Sequence, residues 1–149
     1  MARYRASIET RWTPEEAFAY LSDFSTSAEW DPGVMEAHRV GPDGNEFHLV
    51  VKSLGRTTTL TYRRTECQRP QAVTFVGENS AVVSRDRITF EAIPAGTRVT
   101  YDADLRLKGP LRLADPVLAL AFNRIGDRAR EGLRAVLERP TAKATHAPA

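Results

Sequence analysis

Two consecutive runs, Val82–Ile93 and Thr97–Lys108, alternate in side-chain character, and a long segment with a single apolar stripe follows them. This pairing limits the possible folds more than any other feature of the chain. Ser84, Asp86, Ile88, Phe90 and Ala92 share one face of the first run; Val99, Tyr101, Ala103, Leu105 and Leu107 share one face of the second. Thr100, Asp102, Asp104, Arg106 and Lys108 take the opposite face, so one side of an antiparallel sheet is wet and the other covered. The cover is the last element. Asp115-Pro116 reads as a cap and first helical position, and nothing breaks the helix before Pro140. At 100° per residue, Leu118, Ala121, Phe122, Ile125, Ala129, Gly132, Leu133 and Val136 form one stripe, which makes Phe122 an expected anchor. Leu120 is the one large apolar residue expected outside the stripe. At ~1.5 Å per residue the helix spans roughly 35 Å, enough to cross a small domain.

The remaining segments extend the sheet. Arg3–Thr10 alternates weakly and reads as a first strand. Thr13-Pro14-Glu15-Glu16 then opens a helix with a capping residue, a proline at the first position and a glutamate placed to close a capping box. Ala17, Phe18 and Leu21 give it an apolar face, and a second short turn is expected from Ser25 to before Pro32. Val34–Val40 and Glu46–Leu54 flank the Asp-Gly turn of Gly41–Asn45, and Thr57–Gln68 and Val73–Val76 follow. The expected fold is therefore α+β: a curved, seven-stranded antiparallel sheet around a long C-terminal helix, with two short helices after the first strand. One domain over residues 1–139 is expected, with residues 140–149 a disordered tail by composition.

Composition narrows the functions. There are 21 Lys+Arg against 19 Asp+Glu, a net charge of +2 that does not mark a nucleic-acid binder. Cys67 is the one cysteine, so no internal disulfide or cysteine-based metal spacing exists, as suits a reducing cytosol. The start of the chain leads into no apolar signal region, and Val117–Phe122 is the longest apolar stretch, so a soluble cytoplasmic protein without a membrane span is expected. No phosphate-binding loop or Ser-His-Asp pattern is present, and no cofactor or metal is expected.

Several stretches resemble the polyketide cyclase/dehydrase and lipid-transport family of the START/Bet v 1-like (SRPBCC) superfamily. They are Trp12–Phe18, Leu21–Phe24, Glu29–Val34, Gly96–Tyr101 and Lys108–Leu111, and the resemblance runs from about Arg3 to Leu137. It implies a helix-grip fold with a cavity between the concave sheet face and the long helix. By period two the lining expected for that cavity is Leu49, Thr58, Leu60, Tyr62, Arg64 and Phe75, then Ser84, Asp86, Ile88 and Phe90, then Tyr101, Ala103 and Leu105. Phe122 and Ile125 close it from the helix. Taken singly, the apolar members are as well explained by a filled core.

Arg64, Asp86, Tyr62 and Tyr101 are the candidates for chemistry. In the aromatase/cyclase branch of the family that the chain resembles as a whole, a strand arginine at a place like that of Arg64 orients a polyketide, which would imply such a role here, and a guanidinium does stabilise a developing oxyanion in a dry site. Solvent exposure at the strand's end is the competing expectation for Arg64, and an Arg64–Asp86 pair would satisfy both side chains. His38 and His48 face each other if the hairpin pivots on Asp43, but no third ligand accompanies them. The arginines from Arg124 to Arg139 alternate with Asp127, Glu131 and Glu138 and read as a solvated face. The favoured function is binding or carriage of a hydrophobic molecule (lipid, polyketide or isoprenoid-like) by a monomer or homodimer. Polyketide cyclase/dehydratase activity is one alternative, and a regulatory or toxin–antitoxin-type interaction protein with a vestigial cavity is another.

Overall fold

A computed structural model describes residues 2–53 and 55–140 of the chain. Leu54, expected to end a strand, and the tail after Pro140 lie outside the described residues. Strand β1 (Ala2–Thr10) leads into helix α1 (Pro14–Leu21), a 3₁₀ turn (Phe24–Thr26) and the single-turn helix α2 (Ser27–Trp30). Six strands follow: β2 (Val34–Val40), β3 (Glu46–Ser53), β4 (Arg56–Gln68), β5 (Ala72–Glu78), β6 (Val82–Ile93) and β7 (Gly96–Leu107). A 3₁₀ segment (Gly109–Ala114) then enters helix α3 (Asp115–Leu137).

The strands form one antiparallel sheet in the order β1-β7-β6-β5-β4-β3-β2. Each hairpin places its strand beside the last, and β1 closes onto β7 at the far side. The β2–β3 hairpin pivots on Asp43, as its turn residues predict, and His38 stands opposite His48. Outward-facing charges pair across the strands, as in Arg3–Asp104, Arg5–Asp102 and Arg87–Glu66. These exposed pairs add little stability, but they fix which face is wet.

The helices cover the concave face at two places. At the start of α1 the capping box is complete: Glu16 N–H donates to Thr13 Oγ1 (3.2 Å) and Thr13 N–H to Glu16 Oε1 (3.0 Å). That stabilises the helix by about 1 kcal/mol and sets Ala17, Phe18 and Leu21 into the core. The end of α3 is clamped. Leu133, Val136 and Leu137 are buried, Thr10 Oγ1 donates to the Leu137 carbonyl (2.7 Å), and Trp12 Nε1 donates to that of Arg139 (2.9 Å). Gly132 allows the backbones of α2 and α3 to touch, since a Cβ there would lie 1.8 Å from the Trp30 carbonyl oxygen. The start of α3 is held differently. Leu118, Phe122 and Ile125 are only half-buried, and Val117 joins Leu120 on the exposed side. Phe122 is therefore not the buried anchor that the stripe predicts, because the space beneath it is not filled.

Candidate functional site

The space between sheet and helices divides in two. Under α1 and the 3₁₀ turn it is solid: Phe24 stacks on Phe75 at 4.1 Å and meets Tyr62 edge-on at 4.9 Å, while Phe18 packs against Phe90 at 5.4 Å. Under α3 it opens into a cavity of about 170 Å³. Tyr4, Ala6 and Ile8 of β1 form one wall, with Tyr101, Ala103 and Leu105 of β7 beside them. Leu60 and Tyr62 of β4 and Ser84 and Asp86 of β6 form the floor, and Phe122, Ile125, Ala129 and Leu133 of α3 form the roof.

The floor holds the polar groups. Tyr101 donates its hydroxyl to Asp86 Oδ2 (2.9 Å), and Ser84 Oγ donates to Asp86 Oδ1 (3.3 Å). Asp86 is only 7% exposed, and this burial pushes its carboxyl up to about 7, against the hydrogen bonds from Tyr101 and Ser84 and with added repulsion from Asp31 and Asp104. Burial first, and then the Asp86 charge, raises Tyr62 and Tyr101 well above the ordinary phenol range. Asp31, after α2, also lines the cavity; burial raises its carboxyl although Gly33 N–H donates to Oδ1 (2.9 Å). Trp30 sets its ring edge-on to Tyr101 at 5.7 Å. A carboxyl that titrates near neutrality beside a phenol, in an otherwise apolar chamber, can hold a polar atom of a guest or exchange a proton with it.

Of the residues expected from sequence to line a cavity, Leu60, Tyr62, Ser84, Asp86, Tyr101, Ala103, Leu105, Phe122 and Ile125 do surround this one. Leu49, Phe75, Ile88 and Phe90 share the inner face but lie in the closed core under the aromatic plug. Thr58 is exposed near the strand's end, where it accepts from Asn79 Nδ2 (3.0 Å). Arg64 does not reach the cavity and does not pair with Asp86. Its Nε donates to Asn45 Oδ1 (2.9 Å) and its Nη1 to the Ser22 carbonyl (3.0 Å), so it caps the end of α1. Phe75 stands between Arg64 and Asp86 in the sheet register. His38 and His48 are exposed, each near a glutamate of its own strand, and Cys67 is exposed. Among the described residues no group of three or more His, Cys, Asp and Glu side chains is placed to hold a metal.

Sequence reasoning missed Tyr4, Ala6 and Ile8, although their alternation was visible. It also missed Trp30 and Asp31 as lining, although Glu29–Val34 is one of the stretches that carry the resemblance. Gly77 lies opposite Tyr62, and a Cβ there would fall 2.6 Å from the Tyr62 ring. The glycine thus allows Tyr62 to lie flat on the floor. No helix among the described residues is long and apolar enough to cross a membrane.

A family model described as polyketide cyclase/dehydrase and lipid transport matches residues 1–138. No curated protein matches in sequence. Among solved structures, the chain is similar to a START superfamily protein from Mycobacterium smegmatis (TM-score 0.77, 14% identity, covering 92% of this chain and 97% of that one). It is also similar to TTHA0849 from Thermus thermophilus (0.74, 15%, covering 91% and 95%). The di-domain ARO/CYC StfQ from the steffimycin biosynthetic pathway matches over 91% of this chain and 50% of its own, at a TM-score of 0.68 and 14% identity. At such identities the likeness is one of fold.

Proposed function

The chain belongs to the polyketide cyclase/dehydrase and lipid-transport family, and on that premise we propose that it binds a compact hydrophobic molecule in the cavity beneath α3. The observation that carries this reading is a chamber of about 170 Å³ with mostly apolar walls and the hydrogen-bonded Ser84, Asp86 and Tyr101 at its floor. An apolar cavity of ~150 Å³ accepts benzene, so the chamber has room for a one-ring guest. A larger guest requires the start of α3 to lift, and that is the part of the helix with the fewest buried side chains. Native mass spectrometry of freshly purified protein tests for a co-purifying hydrophobic compound. A one-ring fluorescent probe should bind, and Tyr62→Trp should weaken it by filling the floor. Full binding in that variant, or none in the parent, contradicts the reading.

A second reading, proton-transfer catalysis on an enolisable carbonyl compound, is favoured by the Asp86–Tyr101 contact. The Asp86 carboxylate would take the proton next to a carbonyl while a phenol hydroxyl donates a hydrogen bond to the carbonyl oxygen, the arrangement that a cyclase or dehydratase requires. Deuterium exchange next to the carbonyl of a one-ring ketone measures that step. Catalysed exchange that is lost in Asp86→Asn supports an enzyme; bound ketone that does not exchange leaves a carrier.

A further inference from the structure

Among the described residues five large hydrophobic side chains stand exposed, and four of them, Leu111, Leu113, Val117 and Leu120, fall between the end of β7 and the second turn of α3. Val117, Leu120, Arg124 and Arg128 are exposed and lie within about 80° of one another, opposite the inward Leu118, Phe122 and Ile125. The fold needs only the inner stripe of this helix. An outer face that begins apolar and continues basic has no partner within the domain.

Charge is arranged around the same patch. From Leu105 to Gly126 the chain carries Arg106, Lys108, Arg112 and Arg124 against the single acid Asp115. The strand register brings the β3–β4 turn, with Lys52 and Arg56, to this end of the sheet. Lys108 is answered by Glu78 at 3.0 Å, but Arg112, Arg124 and Arg128 enter no ion pair among the described residues. The whole chain holds 21 Lys+Arg against 19 Asp+Glu, so the excess is local.

We propose that this end of the domain docks on an anionic lipid surface, with Leu111, Leu113, Val117 and Leu120 entering the boundary of headgroups and acyl chains and Arg112, Arg124 and Arg128 meeting the phosphates. Hydrocarbon takes up exposed leucines, and a negative surface potential raises binding about fivefold for each cation held near it. No helix among the described residues is long and apolar enough to cross a membrane, so the contact is peripheral. A second copy of the chain fits the patch less well, because a twofold contact would gather the arginines of both copies at one seam.

Co-sedimentation of the full chain with vesicles tests this, using phosphatidylcholine alone and phosphatidylcholine mixed with phosphatidylserine. Binding to the mixed vesicles should be tighter by at least about tenfold and should weaken as salt rises. The double variant Leu113→Ser/Leu120→Ser should lose about tenfold of that binding, and Arg112→Glu should reduce the preference for phosphatidylserine. All three side chains are exposed, so melting temperatures should hold. In Leu120→Trp the indole emission should shift to the blue on mixed vesicles, while Trp12 and Trp30 of the parent, both buried, should shift little. Absence of binding to the mixed vesicles overturns the proposal. Binding that the serine variant retains overturns it too, since that is adsorption by charge alone. A dimer in lipid-free solution that the serine variant splits makes a second copy the occupant and overturns it as well. None of these outcomes bears on the cavity.

Discussion

The two halves of α3 have the same sequence rhythm and different fates. The second half is locked: Leu133, Val136 and Leu137 are buried, two side chains bond its last carbonyls, and Gly132 brings it against the Trp30 backbone. The first half, with the segment before it, leaves Leu113 91%, Val117 71% and Leu120 66% exposed. Tyr4 ties the middle of the helix, through the hydroxyl donated to Asp127 Oδ1 (2.7 Å). The difference teaches that the helix is an anchor at one end and a cover at the other. The cavity lies where the cover has least to hold it.

Leu133→Ala should show the largest effect. Leu133 is 2% exposed; truncating a buried leucine costs ~2–5 kcal/mol, and chemical denaturation of the variant should register a loss in that range. Equal losses from Leu133→Ala and Phe122→Ala would erase the distinction between the halves.

The acid beneath the cover should show next, through pH. Asp86 is held protonated to about 7 in the folded chain against an ordinary value of 3.8. Between those values the folded state carries more protons than the unfolded one, so stability falls as pH rises from about 4 to about 7 and then levels off. Ser84, Tyr62, Tyr101, Asp31 and Asp104 surround this group, and Asp31 is shifted in the same direction. The full span corresponds to roughly 4 kcal/mol. Glu66 and Asp43 are shifted the other way, lowered by hydrogen bonds, chiefly from Arg87 to Glu66 and from Asn45 N–H and Arg63 to Asp43. Urea midpoints that rise from pH 5 to pH 7 would contradict the placement of Asp86.

Phe122→Ala should cost less, about 1 kcal/mol, because a half-buried ring over a cavity gives up fewer contacts than a packed one. Its expected signature is weaker guest binding with modest loss of melting temperature. Leu120→Ala should change stability by no more than ~0.5 kcal/mol, as exposed positions do.

Much of this architecture was legible in the sequence, because period-two alternation, the Thr13–Glu16 box and the Asp-Gly turn are local signals. The register of His38 and His48 stayed conditional on a turn that pivots on Asp43, and the structure has that pivot. What could not be read was how the inner face is divided. Phe75 and Ile88 have the same phase as Ser84 and Asp86, and only the tertiary position of Phe24 makes one pair core and the other wall. Arg64 was misleading for a similar reason. Its phase is inward, but the register shift between Arg64 and Glu66 and the nearby end of α1 give it a backbone carbonyl to bond. Trp30 and Asp31 acquire their role from the contact between α2 and α3, which leaves no periodic trace.

Hydrogen exchange with and without a saturating one-ring probe tests the central claim most directly, that a guest occupies the cavity beneath the loosely held half of α3. Amides from Leu118 to Ile125 should exchange faster than those from Leu133 to Leu137 in the free protein, and the probe should slow the first group together with the strands around Asp86 and Tyr101. The second group should be slow in both states. Protection that falls on the Ser22–Arg64 region instead, or a bound probe that leaves Leu118 to Ile125 unchanged, would contradict the account.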